Sequence, residues 1–171
     1  NCFAHMEDIH AIVEGIIEML EPDGVFISES HYLIPLLDTL QYDTIYHEHL
    51  RYYSLTSLKY LLEMHDLEVF HARPIPSHGG SIRVYAARHG AHPVEASVRH
   101  ILAEEPHGHA MTKRLAAFRH DVILSKLKLL SMLSGLKEKG AHIAGISAPS
   151  RASTLVNYVG LDSAIIDYVC E

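Results

Sequence analysis

Between Gln41 and Ser54 the chain reads QYDTIYHEHLRYYS, with four tyrosines, two histidines and one glutamate. These side chains together can move a proton. Imidazole titrates nearest to neutral pH, and a neighbouring carboxylate can raise its basicity and fix its tautomer. A tyrosine hydroxyl beside it can donate to a developing oxyanion. Tyr46, His47, Glu48 and His49 are therefore candidates for a base and its helpers. Two other readings stay open: a buried polar turn that satisfies itself, and a metal site begun by the pair His47 and His49. Zinc needs three or four convergent ligands. Many of the fifteen histidines, such as His89, His92, His100, His107 and His109, fall in expected turns and helix ends, so no metal is expected in this chain.

The elements before the cluster fix where it sits. From Asp8, Ile9, Ile12, Val13, Ile16, Ile17 and Leu20 recur on one helical face. EPDG stops that helix, with Pro22 unable to continue it and Gly24 suited to a left-handed turn. VFISE follows as a mostly apolar, buried strand. Helix, turn and strand look like half of an open α/β sheet, and such sheets bind ligands at strand carboxyl ends, here Glu29 to His31. The cluster comes soon after. A regular strand from Tyr46 to His49 would put Tyr46 and Glu48 on one side and both histidines on the other. A base that works beside its helpers therefore needs a bend between Glu48 and His49.

Ser54 or Thr56 caps a short helix ending near His65, and LEVFHARPI and SIRVYAAR read as two antiparallel strands. The glycines of HGGS between them suit either a hairpin turn or close approach to a ligand, and the turn is favoured. GAHPVE opens a helix that EPHGH breaks. A long helix follows from about Thr112 to Lys139, with Leu115, Phe118, Val122, Leu129, Met132 and Leu136 on one side. The rest reads strand, loop, helix, strand, a βαβ unit with parallel strands. In GISAPSRAST the helix N-terminus and Arg151 could seat a phosphate, or Ser150 could simply cap the helix. The expected units are residues 1–55, 56–110 and 111–171.

At 171 residues and 48% hydrophobic, the chain can bury a core. A net charge of −7 gives no footprint for nucleic acid. Cys2 and Cys170 make no disulfide or zinc framework. No apolar run reaches a membrane span of about 20 residues, and a cytoplasmic location is the default expectation. The chain opens on Asn1 and closes on SAIIDYVCE, so an internal piece of a longer protein is expected.

YDTIYHEHLRYYSL resembles the signature of the S-adenosylmethionine-dependent nucleotide-sugar C-methyltransferases of branched deoxysugar (tetronitrose-type) biosynthesis. NCFAHMED, HGGSIRVY and GISAPSRASTLVNYVGL resemble three further family segments in the same order. The resemblance implies the end of a class I (Rossmann-like) methyltransferase sheet followed by a C-terminal α/β lobe. It places the main adenosylmethionine loop and a zinc-binding lobe before this chain. It implies that His49 removes a proton beside a 4-keto group of a nucleoside-diphosphate sugar, with Tyr46 and Glu48 flanking the sugar. His5, at a strand end, would sit near the same oxygen, and Asn1 near the methionine end of the cofactor. Ser150 and Arg151 would meet the substrate, and they stand where many members have Ala-Lys. The remaining alternatives are a noncatalytic lobe that holds a nucleotide or nucleotide sugar, and a metal-dependent hydrolase built on His47 and His49.

Overall fold

The structure is a computed structural model that describes residues 2–171. It is a mixed α/β chain. In order, the helices and strands are α1 (Ile9–Met19), β1 (Phe26–His31), α2 (Leu33–Asp38), α3 (Leu55–Glu63), β2 (Leu67–Ile75), β3 (Ser81–Arg88), α4 (Ala96–Glu104), α5 (His109–Glu138), β4 (Ala144–Ile146), α6 (Ser150–Val159) and β5 (Tyr168–Cys170). Single 3-10 turns lie at Phe3–His5, Tyr42–Thr44 and Ser77–Gly79.

The larger sheet has the order β1-β3-β2, with β3 antiparallel to both neighbours. β1 comes from residues 1–55 and the other two strands from residues 56–110, so these segments share one core. Val69, Ala72, Ile82, Val84 and Ala86 from the sheet meet Val13 of α1, Leu58 and Leu62 of α3, and Val98 of α4. Each fully buried Leu or Val of this kind is worth about 1.5–3 kcal/mol. The β2–β3 pairing slips once, between Val69 and His71.

β1 is less apolar inside than expected. Its alternation buries Ser28 and Ser30 and leaves Ile27 54% exposed, because a two-residue period assigns alternate side chains to opposite faces. Gly24 also differs from expectation: its φ is not positive, and its need is space. A Cβ there would lie 3.0 Å from the Glu21 backbone nitrogen and 3.1 Å from Leu20 Cδ2.

Polar ties fix the helices to the sheet. Arg88 at the end of β3 donates to the Ile17 and Leu20 carbonyls at 2.8 and 3.1 Å, which satisfies the C-terminus of α1. Glu105 does the same for the N-terminus of α3. It is 4% exposed and accepts from the Leu55 and Thr56 backbone N–H groups at 2.5 and 2.9 Å, from Thr56 Oγ1 at 2.5 Å and from the Tyr32 hydroxyl at 2.9 Å. Burial, and then Glu105, pushes the Tyr32 phenol well above its usual range, so it stays a donor.

The last unit is the expected βαβ: β4 and β5 pair in parallel around α6. α5 packs mainly on α2 and α6. The face expected for its core is mostly uncovered. Val122 and Leu133 are buried, while Leu115, Met132 and Leu136 are 44%, 57% and 40% exposed. The physical reason is that the helix rests mainly on two short helices, α2 and α6, which cover only part of its length.

Glu105→Ala should lower unfolding free energy by about 2–3 kcal/mol, since buried donors at the start of α3 lose a charged acceptor. Chemical denaturation measures this, and a loss below about 0.5 kcal/mol would show that water replaces the carboxylate.

Candidate active site

The tyrosine–histidine run is folded back on itself. The His49 N–H donates to the Tyr46 carbonyl at 3.0 Å, which closes a turn with His47 and Glu48 at its corners. The expected bend is thus a full turn centred on His47-Glu48, not a kink after Glu48. It brings the first and fourth residues together: the Tyr46 and His49 rings lie 4.5 Å apart between centroids. His47 and Glu48 are exposed.

A backbone carbonyl sets the imidazole. His49 Nδ1 lies 2.9 Å from the Thr44 oxygen, and a carbonyl only accepts, so Nδ1 carries the hydrogen. Nε2 is then the basic nitrogen, and the Tyr46 hydroxyl donates to it at 3.3 Å. Glu48, expected to hold the imidazole, makes no hydrogen bond to it among the described residues; its charge only favours protonation from a distance. The turn threw Glu48 outward, which spacing alone did not reveal.

His5 reaches the same place from another element. It ends the 3-10 turn Phe3–His5, not a strand, and is exposed. The Leu50 N–H donates to the Ala4 carbonyl at 2.9 Å, and Arg51 donates to the Met6 carbonyl and to that of Glu7 at 2.9 Å. These bonds set the His5 ring edge-on to His49 at 4.9 Å. Asn1, expected near the cofactor, lies outside the described residues.

Tyr46 and His49 line a cleft of about 210 Å³ with Thr44, His31, His78 and Arg151. Arg151 therefore belongs to the same site as His49. Its guanidinium makes a two-pronged bond to Asp43, Nε to Oδ2 at 3.0 Å and Nη2 to Oδ1 at 2.9 Å. Ser150 is exposed, is the first residue of α6 and does not line the cleft; the cap position is Pro149, so Ser150 does not cap the helix.

Two cleft residues, His31 and His78, were not among the expected site residues, although the strand end and the loop that carry them were singled out. His31 ends β1, at the carboxyl end where a ligand was expected. His78 sits in the HGGS loop with φ 53°, a left-handed conformation that is costly for a residue with a Cβ. The two glycines do more than turn the chain. A Cβ on Gly79 would lie 2.6 Å from Gln41 Oε1, and one on Gly80 2.5 Å from Pro35 Cβ. The signal was present in the second function glycine can have, close approach.

Burial is the main cause that lowers the basicity of His49 below the ordinary value near 6.5, with His5 and Arg151 adding to it against the Thr44 bond and Glu48. His31 is lowered in the same direction, again chiefly by burial. Among the described residues no group of three or more His, Cys, Asp and Glu side chains converges to hold a metal ion. No described helix is long and apolar enough to cross a membrane.

Comparison with known proteins adds the family. Residues 76–171 match the model of the C-methyltransferase C-terminal domain. The chain belongs to the C-methyltransferase family. That match takes in the HGGS loop and Arg151, while the Tyr46–His49 turn precedes it. The chain is also 40% identical over 163 residues to the C-methyltransferase NovU of Streptomyces niveus, which covers 94% of this chain and 39% of that relative. It thus spans about two fifths of the length of the C-methyltransferase it matches.

The two lowered histidines give stability a pH dependence. Their folded forms resist protonation, so the unfolded chain binds protons first as pH falls. The contribution is complete above the ordinary value near 6.5 and declines as pH drops through it toward the lowered folded values. Unfolding free energy should therefore fall between about pH 7.5 and 5, and the double variant His31→Gln, His49→Gln should flatten that fall. Denaturation at a series of pH values measures both slopes; equal slopes would remove the account.

Proposed function

We propose that the complete protein transfers a methyl group from S-adenosylmethionine to the carbon beside the keto group of a nucleoside-diphosphate 4-keto-deoxysugar. The observation that carries this reading is the Tyr46–His49 pair. It presents a neutral imidazole whose unprotonated Nε2 faces a phenol, in a cleft that also holds a guanidinium.

A carbonyl acidifies the proton on its neighbouring carbon. His49 Nε2 takes that proton, the C–H pair becomes the new carbon–carbon π bond, and the carbonyl π pair moves to oxygen. The Tyr46 hydroxyl, released from Nε2, donates to that oxygen, with His5 beside it. One such donor is worth roughly 3–4 kcal/mol, and a placed base about 10²–10⁴-fold. When bound, adenosylmethionine supplies an electrophilic methyl carbon. The donor set fits that partner, since a base with oxyanion donors makes a carbon nucleophile.

The substrate diphosphate is taken up by Arg151 and by the N-terminus of α6 at Ser150, where free N–H groups and the helix dipole favour an anion. The phosphate competes with Asp43 for the guanidinium fork. In this reading β1 belongs to the end of a class I methyltransferase sheet, and β3 and β2 of the following segment extend it. Residues 1–55 supply its part and the catalytic segment, residues 56–110 a small insert, and residues 111–171 the C-terminal lobe.

In the complete enzyme, His49→Ala should abolish both methyl transfer and solvent deuterium exchange at the sugar carbon while substrate still binds. His47→Ala should keep most of both. Exchange near the wild-type rate in His49→Ala would sink the reading. Tyr46→Phe should cost roughly 10²-fold in kcat. Arg151→Ala should raise KM much more than it lowers kcat, and Asp43→Asn, which leaves the guanidinium in place, should not.

A further inference from the structure

His31 lines the cleft beside Tyr46 and His49, and the chemistry above makes no use of it. Its Nε2 lies 3.0 Å from Gln41 Oε1. The rest of the network fixes the polarity of that contact. The Gln41 amide nitrogen donates to the Gly79 carbonyl at 2.8 Å and to Thr39 Oγ1 at 2.5 Å. Thr39 Oγ1 gives its own hydrogen to the Pro35 carbonyl at 2.7 Å. Because the Gly79 carbonyl can only accept, the group facing it must be the NH₂. Oε1 then faces His31 and can only accept, so His31 Nε2 carries the hydrogen.

Burial, with the nearby His49, Arg151 and His78, opposes a second proton on the ring against the support of Gln41. Nδ1 therefore keeps its lone pair. It has no hydrogen-bond partner among the described residues. It is also not an enclosed orphan, since among the described residues Ser30 Oγ is the buried side-chain atom that lacks a partner. Nδ1 is thus an unpartnered and not fully enclosed acceptor on a ring that forms part of the cleft wall.

Apart from His78, whose tautomer no hydrogen bond among the described residues fixes, the other polar groups of the cleft are committed. His49 Nε2 is taken by the Tyr46 hydroxyl, and the Thr44 carbonyl already accepts from His49 and from the Tyr52 hydroxyl at 3.1 Å. Arg151 is a donor only. We infer that His31 is a specificity-determining residue that accepts, through Nδ1, a hydrogen bond from a ring hydroxyl of the sugar. This rests on the reading of the cleft as a keto-sugar site. Gln41 is its positioning residue: by holding the hydrogen on Nε2 it makes the ring an acceptor toward the cleft.

The test uses the complete enzyme, the keto-sugar nucleotide it methylates, and analogues of that substrate each lacking one ring hydroxyl. His31→Ala, and His31→Phe, which keeps a ring but removes the acceptor, should raise KM for the full substrate about tenfold. For one deoxy analogue, wild type and variants should share the same KM. Exchange at the reacting carbon should persist in both variants at saturating substrate. Independently of any variant, nitrogen-detected NMR of the wild-type ring should show the neutral form with its hydrogen on Nε2. An Nδ1–H tautomer, an unchanged KM, or an equal penalty for every analogue would overturn the inference. Wild-type enzyme that methylates no keto sugar would overturn the underlying reading instead, and this inference with it.

Discussion

The Thr44 carbonyl decides which nitrogen of His49 can act. A histidine has two equivalent choices of neutral tautomer until something nearby breaks the tie, and here the tie is broken by a backbone acceptor 2.9 Å from Nδ1. A backbone group has no rotamers, so its direction is as firm as the turn that carries it. That turn, Tyr42–Thr44, is held from several sides. The Gln41 N–H donates to the Leu36 carbonyl at 3.0 Å, and Thr44 Oγ1 to the Gln41 carbonyl at 2.8 Å. The proton chemistry of the cleft is set by main-chain geometry, with side chains arranged around it.

The C-terminal lobe takes part in that geometry. α6 meets the Tyr42–Thr44 turn through the Arg151–Asp43 bonds, through Thr154 Oγ1 donating to the Ile45 carbonyl at 2.9 Å, and through an edge-on contact of Tyr42 with Tyr158 at 5.5 Å. The two residues on either side of Thr44 are thereby tied to a helix more than a hundred positions later in the chain. A cation held this close also discourages protonation of His49 and His31. The lobe contributes to the base in two ways, by position and by field.

Much of this was legible in the sequence. The period of α1, the bounds of β2 and β3, the Ser54 cap and the parallel βαβ unit follow from local patterns that the tertiary structure does not override. The Tyr46–His49 partnership was legible as a need for a bend, but the turn that supplies it was not, because HEH contains none of the usual turn formers. The place of Glu48 was hidden for the same reason: the turn leaves it exposed, acting on His49 by charge and not by a hydrogen bond. His31 was legible only as part of a ligand-binding strand end, and Gln41 not at all. Each is an ordinary residue locally, and their joint role exists only because the HGGS loop returns to lie against Gln41. The long face of α5 failed differently, since periodicity reports an apolar stripe and cannot say how much of it meets a partner.

The antiparallel insertion of β3 between β1 and β2 carries a consequence for how the protein is made. β1 meets β3 in a register that sets His31 opposite Ser81, so this pairing closes a loop of about fifty residues. Everything that builds the cleft from Thr44 to His78 lies inside that loop. On a growing chain, the edge of β1 that meets β3 waits for that partner until synthesis has passed Arg88. Sheet formation of this non-local kind is slow compared with helix formation. The helices α1 and α3 can thus exist before the sheet does, whereas the contact of His31 with its glutamine, held in turn by Gly79, is among the last to assemble.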